Sequence, residues 1–97
     1  MVINVEVKFL GVFRQFSGRD QFLVKLEKHA TVGKAIEKLT EAFSSEFRRM
    51  LVDPELEDPR PNALILVNGK EISVLEGLKT EVEDGDEIVL VPVSHGG

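Results

Sequence analysis

The groups that could do chemistry collect at the end of the chain, in Ser94-His-Gly-Gly97. Two glycines carry no side chain, so the reactive group they present is the carboxyl of Gly97 itself. Directly upstream, Ile88 to Val91 is apolar at four consecutive positions, the pattern of a strand covered on at least part of both faces. A buried strand that delivers a bare carboxylate into solvent is a reach device. Four extended residues, Ser94 to Gly97, span roughly 13–14 Å, and glycine permits close backbone approach because it lacks Cβ. On this reading Gly97 supplies the carboxyl, Gly96 the clearance, and His95 and Ser94 contacts along a partner's channel. The competing reading is a frayed end without a role.

Other candidates are weaker. His95 as a metal ligand needs companions, but the chain has no cysteine and its other histidine is the distant His29, so no metal site is expected. Asp53, Glu55, Glu57 and Asp58 lack the spacing and glycine of a calcium loop and read as solvated acid. Asp84-Gly85-Asp86 reads as a turn. Arg14 follows an apolar run at a loop start and is either solvated or a partner contact. With no nucleophile–base–orienter set and no glycine-rich phosphate loop, the sequence does not read as an enzyme.

The elements that must position this tail belong to one domain, residues 1–97 with a flexible segment 94–97, since this length is too short for two cores. An apolar share of 42% with 30% charged residues suits a folded domain and argues against disorder. No apolar run approaches the ~20 residues that span a bilayer, so no membrane association is expected and the cytoplasm is the expected location. A net charge of −5 disfavours direct DNA binding and suits a partner with a basic docking surface.

Val2 to Leu10 alternates, with Ile3, Val5, Val7 and Phe9 on one face, predicting a half-buried strand. Gly11 to Asp20 reads as a mobile loop carrying Gly18-Arg-Asp20, and Gln21 to Leu26 as an antiparallel second strand. Thr31 is a helix N-cap, followed by Val32, Ala35, Ile36, Leu39 and Phe43 at helical spacing. Ser44-Ser45 interrupts before a short helix over Glu46 to Leu51. Three prolines make Asp53 to Asn62 an exposed acidic loop. Ala63 to Val67 and Lys70 to Ser73 flank Asn68-Gly69, a type I′ hairpin signal. Val74 to Leu78 reads as a loop or a single helical turn with Leu75 and Leu78 turned inward.

The most apolar strand is the last, and buried strands are central. The first and last strands therefore lie side by side in the middle of a mixed sheet of four to five strands, parallel, with one main helix on one face. That is an α+β, β-grasp (ubiquitin-like) arrangement. If Ile88 and Leu90 face the helix, Val89 and Val91 face outward, joined by Leu10 and Ile72 in an apolar patch that serves as an interface. Alternatively, the Ser45–Asn62 segment covers it.

A β-grasp ending in Gly-Gly resembles the ubiquitin-like sulfur carriers: the small subunit of molybdopterin synthase (MoaD type), the thiamine sulfur carrier (ThiS type), the tRNA-thiolation modifier and the small archaeal modifiers. The resemblance rests on Phe9-Leu-Gly-Val-Phe-Arg14, Val67-Asn-Gly69, Glu83-Asp-Gly-Asp-Glu-Ile88 and Val91-Pro-Val-Ser-His-Gly-Gly97. Three features depart from the MoaD pattern or the smallest members: Val93 stands where a second proline is usual, His95-Gly96-Gly97 resembles the tRNA-thiolation modifier more than MoaD, and the Ser45–Asn62 segment is longer than in the smallest members. The resemblance implies that an adenylating enzyme of the ubiquitin-activating type uses ATP to convert the Gly97 carboxylate to a glycyl-adenylate. A sulfurtransferase then yields a thiocarboxylate, and no cofactor is bound by the chain itself. It also implies contacts from Arg14 to the activating enzyme. The favoured acceptor is a molybdenum or tungsten cofactor precursor held by the large subunit of molybdopterin synthase (MoaE type). Protein modification or tRNA thiolation through the same terminus is the alternative.

Overall fold

Period-2 alternation at the start of the chain becomes the face of a sheet. In the computed structural model, which describes residues 1–93, strand β1 (Val2–Phe9) buries Ile3, Val5, Val7 and Phe9. Strand β2 (Gln21–Glu27) pairs antiparallel with it, from Val2 opposite Glu27 to Lys8 opposite Gln21. Strand β5 (Glu87–Pro92) pairs parallel on the other side, Val7 beside Ile88 and Phe9 beside Leu90. Strand β3 (Ala63–Val67) runs antiparallel to β5, and the two-residue β4 (Lys70–Glu71) completes the order β2-β1-β5-β3-β4. The first and last strands are central and parallel, as burial required.

Helix α2 (Val32–Ala42) begins where expected. The Thr31 hydroxyl accepts from the Lys34 N–H at 3.2 Å, and Val32, Ala35, Ile36 and Leu39 are buried. Helix α3 (Ser45–Leu51) is capped in the same way by Ser44 and buries Phe47 and Leu51. The acidic segment that follows is a set of turns. Asp53 Oδ1 accepts from the N–H groups of Glu55 and Leu56, both at 2.9 Å, and the Asp58 carboxylate grips the Arg60 guanidinium. That guanidinium holds the Asp58 carboxyl below its ordinary range.

Two expectations need correction. Residues 11–20 are not a mobile loop: Gly11–Ser17 forms helix α1, closed by Gly18 in the left-handed region with its N–H donating to the Arg14 carbonyl. Val12, Phe13 and Phe16 recur at helical spacing, and Phe13 is drawn wholly into the core, so burial outweighs the turn chemistry of Gly18-Arg19-Asp20. The hairpin partner also stops early. The Glu71 carboxylate accepts from the Ser73 N–H and bends the chain into a 3₁₀ turn, Ile72–Val74. Ile72 is then the inward anchor of this stretch; Leu78 packs partly against the core and Leu75 does not.

Five phenylalanines join these pieces. Phe47 lies 5.6 Å from Phe9, 5.1 Å from Phe43 and 6.4 Å from Phe13, ring centre to ring centre, and Phe43 also meets Phe22. Edge-to-face contacts of this kind add to area burial. Phe47→Ala should therefore cost about 3–5 kcal/mol, read as a lowered denaturant midpoint.

A second test concerns Gly11. Its φ is +54°, and a Cβ there would sit 2.7 Å from Pro92 Cγ on β5, whereas one at Gly18 (φ +74°) would meet nothing within 4 Å. Gly18→Ala should cost about 1–2 kcal/mol from left-handed strain alone. Gly11→Ala should cost visibly more in the same denaturation experiment, and equal losses would show that the Pro92 contact yields freely.

Candidate functional site

A strand can present a tail at a fixed point only if its register is fixed, because a one-residue slip exchanges its two faces. Strand β5 is fastened at both ends. At its start, Asp84 Oδ1 accepts from the Asn4 N–H at 2.7 Å and the Gly85 N–H donates to the Asn4 carbonyl at 2.8 Å. Gly85 has φ +87°, which explains the glycine within the Asp-Gly-Asp turn. Asp86 Oδ1 accepts from Asn68 Nδ2 at 2.9 Å, and Asn68 Oδ1 accepts from the Glu87 N–H at 2.9 Å. The Asn-Gly hairpin and the Asp-Gly-Asp turn, distant in sequence, thus form one bracket that sets where β5 begins.

At the other end, the Leu10 N–H donates to the Leu90 carbonyl at 3.2 Å, and Gly11 lies against the Pro92 ring. The Val93 N–H donates to the Asn62 carbonyl at 3.0 Å, so the segment after α3 holds the strand from the β3 side. Val93, held by this clamp, is the last described residue. Ser94, His95, Gly96 and Gly97, the residues assigned to the tail, lie outside the described residues.

Ile88 and Leu90 are fully buried toward the helices, and Val89 and Val91 lie on the opposite face, partly exposed. The register sets Leu66 beside Val89 and Leu64 beside Val91, while exposed Leu10 continues from β1. Ile72 does not join them: it is 1% exposed, because the early end of β4 turns it into the core. Leu64 and Leu66 take its place. Their signal was the alternation within Ala63 to Val67, but only the β3–β5 pairing reveals which face they share with the tail's strand.

Helix α3 does not cover this face, since its Phe47 and Leu51 are buried in the core on the helix side, whereas Arg60 lines a hollow with Leu64 and Val93. At the edge of the face Lys8 Nζ pairs with a Glu87 carboxylate oxygen at 2.9 Å, and that carboxylate holds the ammonium above its ordinary value, mainly through their hydrogen bond. Arg14 stands apart, exposed on α1 and paired with Asp20. Among the described residues, no cluster of three or more histidine, cysteine, aspartate or glutamate side chains is placed to hold a metal.

The chain matches the ThiS family over residues 7–97. It is 28% identical over 95 residues to small archaeal modifier protein 3 of Haloferax volcanii, covering 98% of this chain and all of that one. It is 30% identical over 100 residues to ubiquitin-related modifier 1 of Saccharomyces cerevisiae, covering 99% and 100%. A solved structure from Pyrococcus furiosus, described as a putative molybdopterin converting factor, subunit 1, superposes with a TM-score of 0.73 at 26% identity over 95% of this chain and 99% of that one. With its β-grasp sheet and its match over nearly the whole length, the chain belongs to the ThiS family of ubiquitin-like sulfur carriers and modifiers.

Proposed function

We propose that the Gly97 carboxyl is the working group and that the protein carries sulfur on it for molybdenum or tungsten cofactor synthesis, in the cytoplasm. The observation that carries this reading is the clamp on β5: whatever follows Val93 starts from a point fixed by Gly11 on one side and Asn62 on the other. An ionised carboxylate is a poor electrophile. Attack of its oxygen on the α-phosphorus of ATP, with pyrophosphate leaving, makes an acyl-adenylate whose leaving group is AMP. A hydrosulfide equivalent from a sulfurtransferase then attacks the acyl carbon, AMP departs with its electron pair, and a thiocarboxylate remains. That anion is a soft nucleophile suited to an activated pterin precursor held by a large synthase subunit.

The adenylating enzyme, and in turn the synthase subunit, would dock on the outward face of Val89, Val91, Leu64, Leu66 and Leu10. Arg14 would touch the activating enzyme at the edge, and Ser94, His95 and Gly96 would thread the channel. The full-length similarity to two modifiers favours a second reading, in which the same adenylate is passed to lysines or the thiocarboxylate serves tRNA thiolation.

Intact-mass measurement after incubation with ATP, an adenylating enzyme and a sulfur source separates these readings. The carrier gains one sulfur-for-oxygen exchange and loses it when a pterin precursor and large subunit are added. The modifier appears joined to other proteins. Deleting Gly96-Gly97 should abolish the mass change and leave the melting temperature nearly unaltered; a large stability loss would count against a free terminus. Val91→Asp should weaken adenylating-enzyme binding by about tenfold or more while the protein stays folded. Parallel loss of thermal stability would place Val91 in the core instead.

A further inference from the structure

Helix α2 carries two pairs of like charges one turn apart, Lys34 with Lys38 and Glu37 with Glu41, an arrangement that weakens an isolated helix. The fold separates them by sign. Glu37 and Glu41 line a hollow toward the turns after α3, with Val52 and Glu57. Lys34 and Lys38 line a different groove, between α2 and β2, with Lys25 and Leu26. A chain of net charge −5 thus has a groove whose lining holds three lysines against the single carboxylate of Glu27. Lys34 reaches Glu37 at 3.6 Å; Lys25 and Lys38 enter no ion pair among the described residues.

The wall of this groove is the edge of the sheet. Strand β2 is outermost in the order, and among the described residues its seven residues pair only with β1. Alternate residues of a strand turn N–H and C=O to each side, so β2 offers a row of backbone donors and acceptors with no strand to receive them. The opposite edge, β4, has only two residues. Leu23, 53% exposed, adds an apolar contact on this strand.

We infer that the β2 edge is a docking site for an extended, acidic segment of a partner protein, which adds as a sixth strand with carboxylates against Lys34 and Lys38 on the helix side and against Lys25 on the other face of the strand. Backbone hydrogen bonds supply the pairing and the lysines select the charge. A second copy of this chain is disfavoured as occupant, because joining β2 to β2 would bring both lysine sets to one seam. The site is independent of the tail: β2 and the clamp at Val93 belong to different strands, so it stands or falls apart from sulfur transfer.

The test uses the full chain and a synthetic decapeptide of alternating valines flanked by aspartates. Amide chemical shifts should move along Gln21–Glu27 and the facing side of α2. The double variant Lys34→Gln, Lys38→Gln should bind about tenfold more weakly while the fold is kept and thiocarboxylate formation is unchanged. Lysines in place of the aspartates, or N-methylation along the peptide's pairing edge, should remove binding. No binding, equal binding of the lysine peptide, shifts centred on Val89 and Val91, or self-association through β2 would each overturn the assignment.

Discussion

Parallel pairing of β1 with β5 is the contact on which the remaining structure depends. The two strands lie at opposite ends of the sequence, and everything between them is a crossover that must return the chain in register. Closing so long a loop costs entropy before any contact rewards it. The reward is concentrated: Val5, Val7, Phe9, Ile88 and Leu90 are all essentially buried. Side-chain burial alone leaves register open among alternating apolar strands, so the Asn68–Asp86–Glu87 bracket matters as much as the core. It offers one arrangement of hydrogen bonds, and a slipped strand would lose them while turning Ile88 and Leu90 to solvent.

Much of this was legible in the sequence because the signals were periodic. Alternation in Val2 to Phe9, the apolar run of β5, the Thr31 cap and the Asn68-Gly69 turn each state a local preference that the fold keeps. The failures came where tertiary contacts overrode local chemistry. Helix α1 has a glycine at its start and a Gly-Arg-Asp turn at its end, and only the aromatic pocket lined by Phe47 explains why the residues between them coil. Ile72 looked like the next step of a strand, but the Glu71 carboxylate diverts the backbone before it is reached.

The site divides along the same line. Val89, Val91 and Leu10 followed from strand parity alone, whereas Leu64 and Leu66 needed the β3–β5 pairing, which no single strand announces. Asn62 and Gly11 were invisible as site residues, since one acts through a carbonyl and the other through the lack of a side chain. Both hold the end of β5, and neither carries chemistry. The glycine is informative in hindsight: a left-handed residue pressed against a proline ring tolerates no Cβ.

The distribution of charge fits this division of labour. The core buries no charged side chain among the described residues, and the β5 bracket uses the carboxylates of Asp84 and Asp86, so the other carboxylates and the lysines are free to be sorted over the surface. Helix α2 shows the sorting most clearly, because its like-charge pairs oppose helix formation and survive only through the burial of Val32, Ala35, Ile36 and Leu39. On the proposed role, each docking partner needs a surface of its own. Two surfaces of different character lie on the sheet: the partly exposed apolar face of Val89 and Val91, and a basic edge two strands away. Stability and these surfaces draw on different residues, since the side chains that build the core are buried and those of the two surfaces are partly or fully exposed.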